Sequence, residues 1–357
     1  MFEANQRIHL PGGEEGRIER PKLFTINIVV TGRCNAACSY CHYYLARNRK
    51  EVAYDISNEL FDVYMGFVSY WNKVVPGTTT YRFSGGDPMV LGDRLFDLAN
   101  RAYKQTSIRP FVITAGKALS REWIDKAKTS AISHLYVSIE NPIRPAKGAP
   151  SPHKVIKEIK ELDSQELPII PGVCVIPNDC FKNLYDICSW FYDQLGRIPL
   201  IAEINYAAYV TPTEPEWVAL QSNIERVICE FASKTPLNLF SSISPELAYG
   251  TIDPYIFELD LENSYGMNMG NIPETLDSVL EKLRFKNYPA LICKNKDCSW
   301  WEFCGNTKWY WQGDKVNGRT RKLDDYCRFK RIINDAYYKA LVDPAHINSS
   351  HRINACL

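Results

Sequence analysis

Residues 23–44 read LFTINIVVTGRCNAACSYCHYY. Phe24, Ile26, Ile28 and Val30 alternate with Thr25, Asn27 and Val29, the period of two expected of a strand that runs into a loop. That loop carries Cys34, Cys38 and Cys41 in the spacing C-x3-C-x2-C. Three thiols leave one position of a tetrahedral metal site open, as in catalytic zinc sites. A [4Fe–4S] cluster held by three thiolates likewise keeps one iron free for an outside ligand. Structural zinc would want a second C-x2-C pair, and none stands nearby. Spacing alone leaves zinc and cluster both open.

The same strand-then-helix pattern continues outward from this stretch. ISNELFDVYMGFVSYW (56–71) places Leu60, Phe61, Tyr64, Met65 and Val68 at helical spacing. A strand TTTYRFSGG (78–86) follows, then FVITAG with helix SREWIDKAK, HLYVSIE with PHKVIKEIKEL, LPIIPGVCVIP with NLYDICSWFYDQL, and PLIAEINYAAYV. Six strands alternating with helices predict a parallel α/β architecture, either an open barrel or a doubly wound sheet. In such folds the active site lies beyond the C-terminal ends of the strands. Cys34, Gly85, Thr114 and Ser138 all fall at that edge.

Composition narrows the function classes. The 357 residues can bury a sizeable core and suggest two domains. A hydrophobic content of 45% with 23% charged residues is ordinary for a soluble globular protein. The formal net charge of +1 gives no whole-chain reason to expect nucleic acid or an anionic membrane as partner. No run of about 18 or more apolar residues is present, and the first 22 residues, polar and rich in Gly and Glu, do not read as a signal peptide. A cytoplasmic protein is expected. Twelve cysteines are many for a reducing compartment, and two clusters of them read as metal ligands rather than disulfides. Cys174, Cys180, Cys188, Cys229 and Cys356 are scattered and read as small hydrophobes.

The C-x3-C-x2-C loop after strand one, FSGGDP (83–88) after strand two and the six-fold repeat together resemble the radical S-adenosylmethionine (radical SAM) enzymes, over roughly residues 23–210. The resemblance implies a partial (β/α)6 TIM-like barrel. It implies a [4Fe–4S] cluster on Cys34, Cys38 and Cys41 whose free iron chelates the methionyl end of SAM, so that an electron from the cluster cleaves SAM to a 5′-deoxyadenosyl radical. It places Tyr40 near adenine, and Gly85, Gly86 and Asp87 at the methionyl ammonium, where Asp87 replaces the family's usual Glu. Ser138 and Glu140 match positions facing the ribose, Thr114 a turn that here reads Thr-Ala-Gly in place of Thr-Asn-Gly, and Asn178 a further cofactor contact. The glycines would let backbone approach the cofactor closely, and the acid would offset the ammonium charge. His42 reads equally as a donor to a cluster sulfur or as a loop residue, and Tyr43 and Tyr44 as packing at the barrel end. A flavodoxin- or ferredoxin-type electron donor is implied as partner.

Beyond Thr211 the character changes. After a helix EPEWVALQSNIERVICEFASK comes a long irregular region, then CKNKDCSWWEFCGN and DDYCRFK. Cys293, Cys298, Cys304 and Cys327 match in number the ligands of a fully protein-bound [4Fe–4S] cluster, with structural zinc chemically allowed. These residues resemble the SPASM and shorter twitch domains that follow some radical SAM cores, and imply one auxiliary [4Fe–4S] cluster shielded by Trp300, Trp301, Phe303, Trp309 and Trp311. FELDLENSYGMNMGNIPETLDSVLEKL (257–283) looks like that domain's hairpin and helix, with Tyr265 and its neighbours where further cysteines are expected. The organisation is thus an N-terminal arm (1–22), a radical SAM core (23–212), a SPASM/twitch-like domain (213–340) and a tail (341–357). The function implied is oxidative modification of a ribosomally made peptide, with a separate recognition protein because 22 residues are too few to form such a domain. The alternative is a small-molecule dehydrogenase or rearrangement enzyme of cofactor or antibiotic biosynthesis.

Overall fold

The structure is a computed structural model of the chain. It describes residues 7–9, 15–17, 24–38, 41, 55–74, 79–139, 141–143, 145, 147–175, 180–204, 212–231, 234–235, 256–259, 315–316, 319–320, 328, 331–332 and 335–336. Two short strands, β1 (Arg7–His9) and β2 (Glu15–Arg17), pair antiparallel ahead of the main sheet.

The expected alternation is present. β3 (Phe24–Thr31), α1 (Asn58–Val74), β4 (Thr79–Gly85), α2 (Asp93–Thr106), β5 (Phe111–Thr114), α3 (Arg121–Thr129), β6 (Leu135–Ile139), α4 (Pro152–Leu162), β7 (Ile169–Val175), α5 (Leu184–Leu195) and β8 (Leu200–Ile204) follow in order. The strands pair parallel with each neighbour next in sequence, from β3 through β8. Of the two architectures the sequence left open, the six-strand α/β partial barrel is the one observed.

One strand was not foreseen. β9 (Ile256–Leu259) pairs parallel with the outer side of β3, so the sheet has seven strands in the order β8-β7-β6-β5-β4-β3-β9. Phe257–Leu259, expected in a hairpin of the second domain, therefore extend the barrel sheet. Without β9 the outer side of β3 would present unpaired backbone N–H and C=O groups. A pairing between segments so far apart leaves no local trace in sequence. Two dipeptide strands, β10 (Lys315–Val316) and β11 (Arg319–Thr320), form an antiparallel pair of their own.

Strand periodicity decides which side chains face the helices. Ile26, Ile28 and Val30 on β3, Tyr81 and Phe83 on β4, and Leu135, Val137 and Ile139 on β6 are buried under the helix layer. They meet Leu60, Phe61, Tyr64, Met65 and Val68 of α1, the residues at helical spacing, in one core. Phe61 and Phe83 pack edge-to-face at 6.0 Å, and burying such a side chain stabilises the fold by about 1.5–3 kcal/mol. Ser57 starts α1 by accepting the Leu60 amide at 3.1 Å. The opposite strand face carries Asn27, Arg82, Tyr136 and Ser138, with Arg82 Nε donating to Asn27 Oδ1 at 3.0 Å.

Helix α6 (Glu214–Phe231) begins in a capping box, with Glu216 accepting both the Thr213 amide (2.7 Å) and hydroxyl (2.9 Å). It packs on the barrel: Trp217 meets Phe181 at 5.1 Å, Phe231 meets Tyr192 at 5.1 Å, and Asn223 donates to the Phe181 carbonyl at 2.8 Å. Composition shifts at residue 213, yet this helix joins the barrel's own layer. Arg328 pairs with Glu214 and lies over Trp217 at 5.1 Å, which ties the segment next to Cys327 to α6.

Candidate active site

The cysteine loop leaves β3 at the C-terminal rim of the sheet. Cys34, Cys38 and Cys41 are half-buried and in no disulfide. The Ala36 amide donates to Cys34 Sγ at 3.3 Å, and the Cys41 amide to the Cys38 carbonyl at 3.2 Å. Among the described residues no three thiol, imidazole or carboxylate groups converge on one ion. A cubane attaches its thiolates to separate irons, so its ligands stand further apart than those around a single zinc.

The Gly85–Asp87 turn at the end of β4 is bonded to this loop. The Gly86 amide donates to the Thr31 carbonyl, and the Asp87 amide to the Arg33 carbonyl, both at 2.8 Å. A Cβ on Gly85 would stand 2.0 Å from the Thr31 oxygen, and one on Gly86 2.1 Å from the Arg33 oxygen. Real side chains do not fit there. The glycines thus serve a close approach of backbone to backbone, between turn and cysteine loop. The loop after β6 makes a similar approach: Gly148, at φ +83°, accepts the Ala37 amide at 2.9 Å, and a Cβ there would lie 2.2 Å from the Ala37 oxygen. Lys117, after β5, donates to the Asn35 carbonyl. Three strand-end segments therefore grip the loop between Thr31 and Cys38.

Asp87 is fully buried, at 0% exposure. Its Oδ1 accepts the Met89 amide (3.1 Å), capping the 3₁₀ turn Pro88–Leu91, and the Thr114 hydroxyl (2.8 Å). Its Oδ2 is buried without a hydrogen-bond partner. Burial pushes the Asp87 carboxyl up from its usual range, against the pull of Thr114 and of the Met89 and Ala115 amides. Such an orphaned carboxylate oxygen is costly, and a cationic donor at the rim would offset that cost. Three thiols on one loop, beside a turn with a buried acceptor to spare, fit a thiolate-held cluster with an amino-bearing ligand.

Thr114, matched in sequence to a turn at the cofactor, has its hydroxyl on Asp87 in this structure. Its Cα pairs with Val137, on the helix-facing side of the sheet, and its hydroxyl, 2% exposed, bonds Asp87 and receives the Gly116 amide at 3.0 Å. Strand parity turns it away from the open barrel, and it braces Asp87. Ser138 is exposed on the opposite face, one strand away. Tyr40, Glu140 and Asn178, and the four cysteines Cys293, Cys298, Cys304 and Cys327, lie outside the described residues, as does His42.

Sequence reasoning missed the neck of the loop. Asp55, just before α1, accepts the Thr31 hydroxyl (2.7 Å) and Arg33 Nε (2.8 Å) on Oδ1, and Arg33 Nη2 (2.7 Å) on Oδ2. Arg94 Nη1 stands 3.8 Å from Oδ2. Partial burial works against ionisation of Asp55, but the Arg33 and Thr31 hydrogen bonds and the two guanidinium charges hold its carboxyl below the usual range. Nothing local in the sequence marks these contacts, because Asp55 and Thr31 are 24 positions apart.

No protein-family model and no curated protein matches the chain. Solved structures do. "Native anSMEcpe with bound AdoMet", an anaerobic sulfatase-maturating radical SAM enzyme, superposes with a TM-score of 0.65 over 92% of this chain and 100% of its own, at 13% identity. "Native anSMEcpe with bound AdoMet and Cp18Cys peptide" gives 0.62 over 93% and 100%, at 14% identity. At such identities the likeness is one of fold. The fold of this chain is that of the radical SAM enzymes, the superfamily that its C-x3-C-x2-C loop and Gly-Gly-Asp-Pro turn resemble.

Proposed function

We propose that the chain is a radical SAM enzyme that modifies a ribosomally made peptide oxidatively. The observation that carries the reading is the union of the Cys34–Cys41 loop and the Gly85–Asp87 turn, bonded to one another at the C-terminal rim of a radical SAM fold. When bound to Cys34, Cys38 and Cys41, a [4Fe–4S] cluster supplies the electron that cleaves SAM to methionine and a 5′-deoxyadenosyl radical, which takes a hydrogen atom from substrate. The chain's own residues do the holding. The turn carbonyls and Asp87 would receive the methionyl ammonium with Thr114 bonded to Asp87, Ser138 and Glu140 would meet the ribose, Tyr40 would lie near adenine, and Asn178 would make a further cofactor contact. Cys293, Cys298, Cys304 and Cys327 would hold an auxiliary [4Fe–4S] cluster, which with all its irons protein-ligated could relay an electron or support the fold. A flavodoxin- or ferredoxin-type protein donates the first electron, and the setting is the cytoplasm. The core spans 23–212 and the cluster-bearing domain 213–340, with α6 packed on the core.

Support for a peptide comes from the similar fold whose structure holds AdoMet together with the Cp18Cys peptide. The test uses a deuterated short peptide encoded beside this chain's gene, with SAM and a low-potential reductant under anaerobic conditions. Deuterium in 5′-deoxyadenosine and a changed peptide mass are expected. Label that arrives only from a deuterated small alcohol would instead support the small-molecule dehydrogenase or rearrangement enzyme.

A further inference from the structure

We propose that Asp55 is the positioning residue of the cysteine loop, closing its neck through Thr31 and Arg33 and so fixing the two carbonyls from which the Gly86–Asp87 turn hangs. The inference deepens the radical SAM reading and rests on it only for what the loop holds. A half-exposed ion pair by itself contributes little; Arg33 and Asp55 side chains are 45% and 22% exposed. Three features set this one apart. Arg33 engages both carboxylate oxygens in the two-pronged geometry that adds directional precision to charge. The Thr31 hydroxyl shares Oδ1 with Arg33 Nε, and also accepts the Arg33 amide at 3.0 Å, so three groups lock one another. The backbone repeats the closure, because the Ile56 amide donates to the Val30 carbonyl at 2.9 Å and Thr31 bridges Asp55 antiparallel.

Both residues that Asp55 grips are the ones that receive the turn. The Thr31 carbonyl accepts the Gly86 amide and the Arg33 carbonyl accepts the Asp87 amide, and Arg33 is followed directly by Cys34. One carboxylate therefore sets the thiol-bearing loop and the acid-bearing turn in a fixed relation. Asp55 also balances the Arg33 charge next to a cluster thiolate. Losing that balance leaves a cation at the site, which favours the more negative, reduced form of a cluster.

The test begins on the ligand-free chain, so that failure of the cluster reading does not obscure it. In Asp55→Asn, amide hydrogen exchange at Gly86 and Asp87 should accelerate about tenfold while the amides of β6 keep their protection. Arg33→Met should do the same, and the double variant should be no worse than either alone. On reconstituted protein, both single variants should lose iron to a chelator about tenfold faster, the scale on which outer partners tune metal sites. The cluster's midpoint potential should rise in Asp55→Asn but not in the double variant. If Asp55→Asn fails to fold, Arg33→Lys keeps the charge without the two-pronged geometry and should speed exchange at an unchanged potential. Unchanged exchange at Gly86 and Asp87, or additive effects in the double variant, would overturn the assignment. Accelerated exchange in the variants together with reconstituted wild-type protein that holds no iron would refute the cluster reading and leave the clamp standing.

Discussion

Asp87 carries one oxygen that is used twice and one that is not used at all. Asp87→Ala removes the cap of the 3₁₀ turn and the partner of Thr114, and should cost the ligand-free protein about 1–2 kcal/mol in denaturant unfolding. Asp87→Asn keeps an acceptor for Met89 and Thr114 and removes a buried charge, so it should be at least as stable as wild type near neutral pH. The sign follows from burial: a carboxyl raised in the folded state binds protons there that the unfolded chain has released. Its contribution to stability therefore falls as pH climbs from about 4 through the raised folded value, and this decline should vanish in Asp87→Asn. SAM affinity should drop in both variants if the free oxygen meets the ammonium. Gly148→Ala, with no free space and φ +83° to hold, should destabilise the loop by about 1–3 kcal/mol, read by the same unfolding assay. At this scale the three cysteines and the Gly-Gly-Asp-Pro turn were legible, because their spacing is local. The partners that hold them were not: Asp55 and Gly148 reach the loop only through the fold. Thr114 was legible as a strand-end residue, but its direction depends on the register with β6.

Among the elements, the edge between β5 and β6 has a pH-sensitive contact at His134, the residue before β6. His134 lies between Phe111, stacked at 4.6 Å, and Tyr136 at 5.3 Å, with Ser133 Oγ 3.0 Å from Nδ1. Burial pushes this imidazole down to about 4. The unfolded chain binds the proton first, so stability should fall as pH drops from about 6.5 towards 4, by at most about 3 kcal/mol. His134→Phe should remove that part of the acid sensitivity, as seen in urea midpoints measured across the range. A fall of the same size in the variant would place the titrating group elsewhere. Elements were the most legible scale of all. Each strand of β3–β8 carried its own period and each helix its own apolar stripe, whereas β9 is a short strand recognised only by its pairing with β3.

For the whole molecule, the reading implies two clusters: about eight irons per chain after anaerobic reconstitution, from two four-iron sites. A count near four, or stoichiometric zinc, would contradict the auxiliary site. If that site only relays electrons, the variant Cys293→Ala, Cys298→Ala, Cys304→Ala should keep about four irons and still cleave SAM without turning over substrate. Its solubility must be checked first, since metal binding supports folding in small metal-bound domains. The central claim lies in the barrel, at Cys34, Cys38 and Cys41, and one assay addresses it most directly. Reconstituted wild-type protein, given SAM and a low-potential reductant without oxygen, should form 5′-deoxyadenosine, and Cys34→Ala, Cys38→Ala and Cys41→Ala should each form none. Deoxyadenosine from any of the three variants, or its absence from wild-type protein with a full complement of iron, would contradict the account.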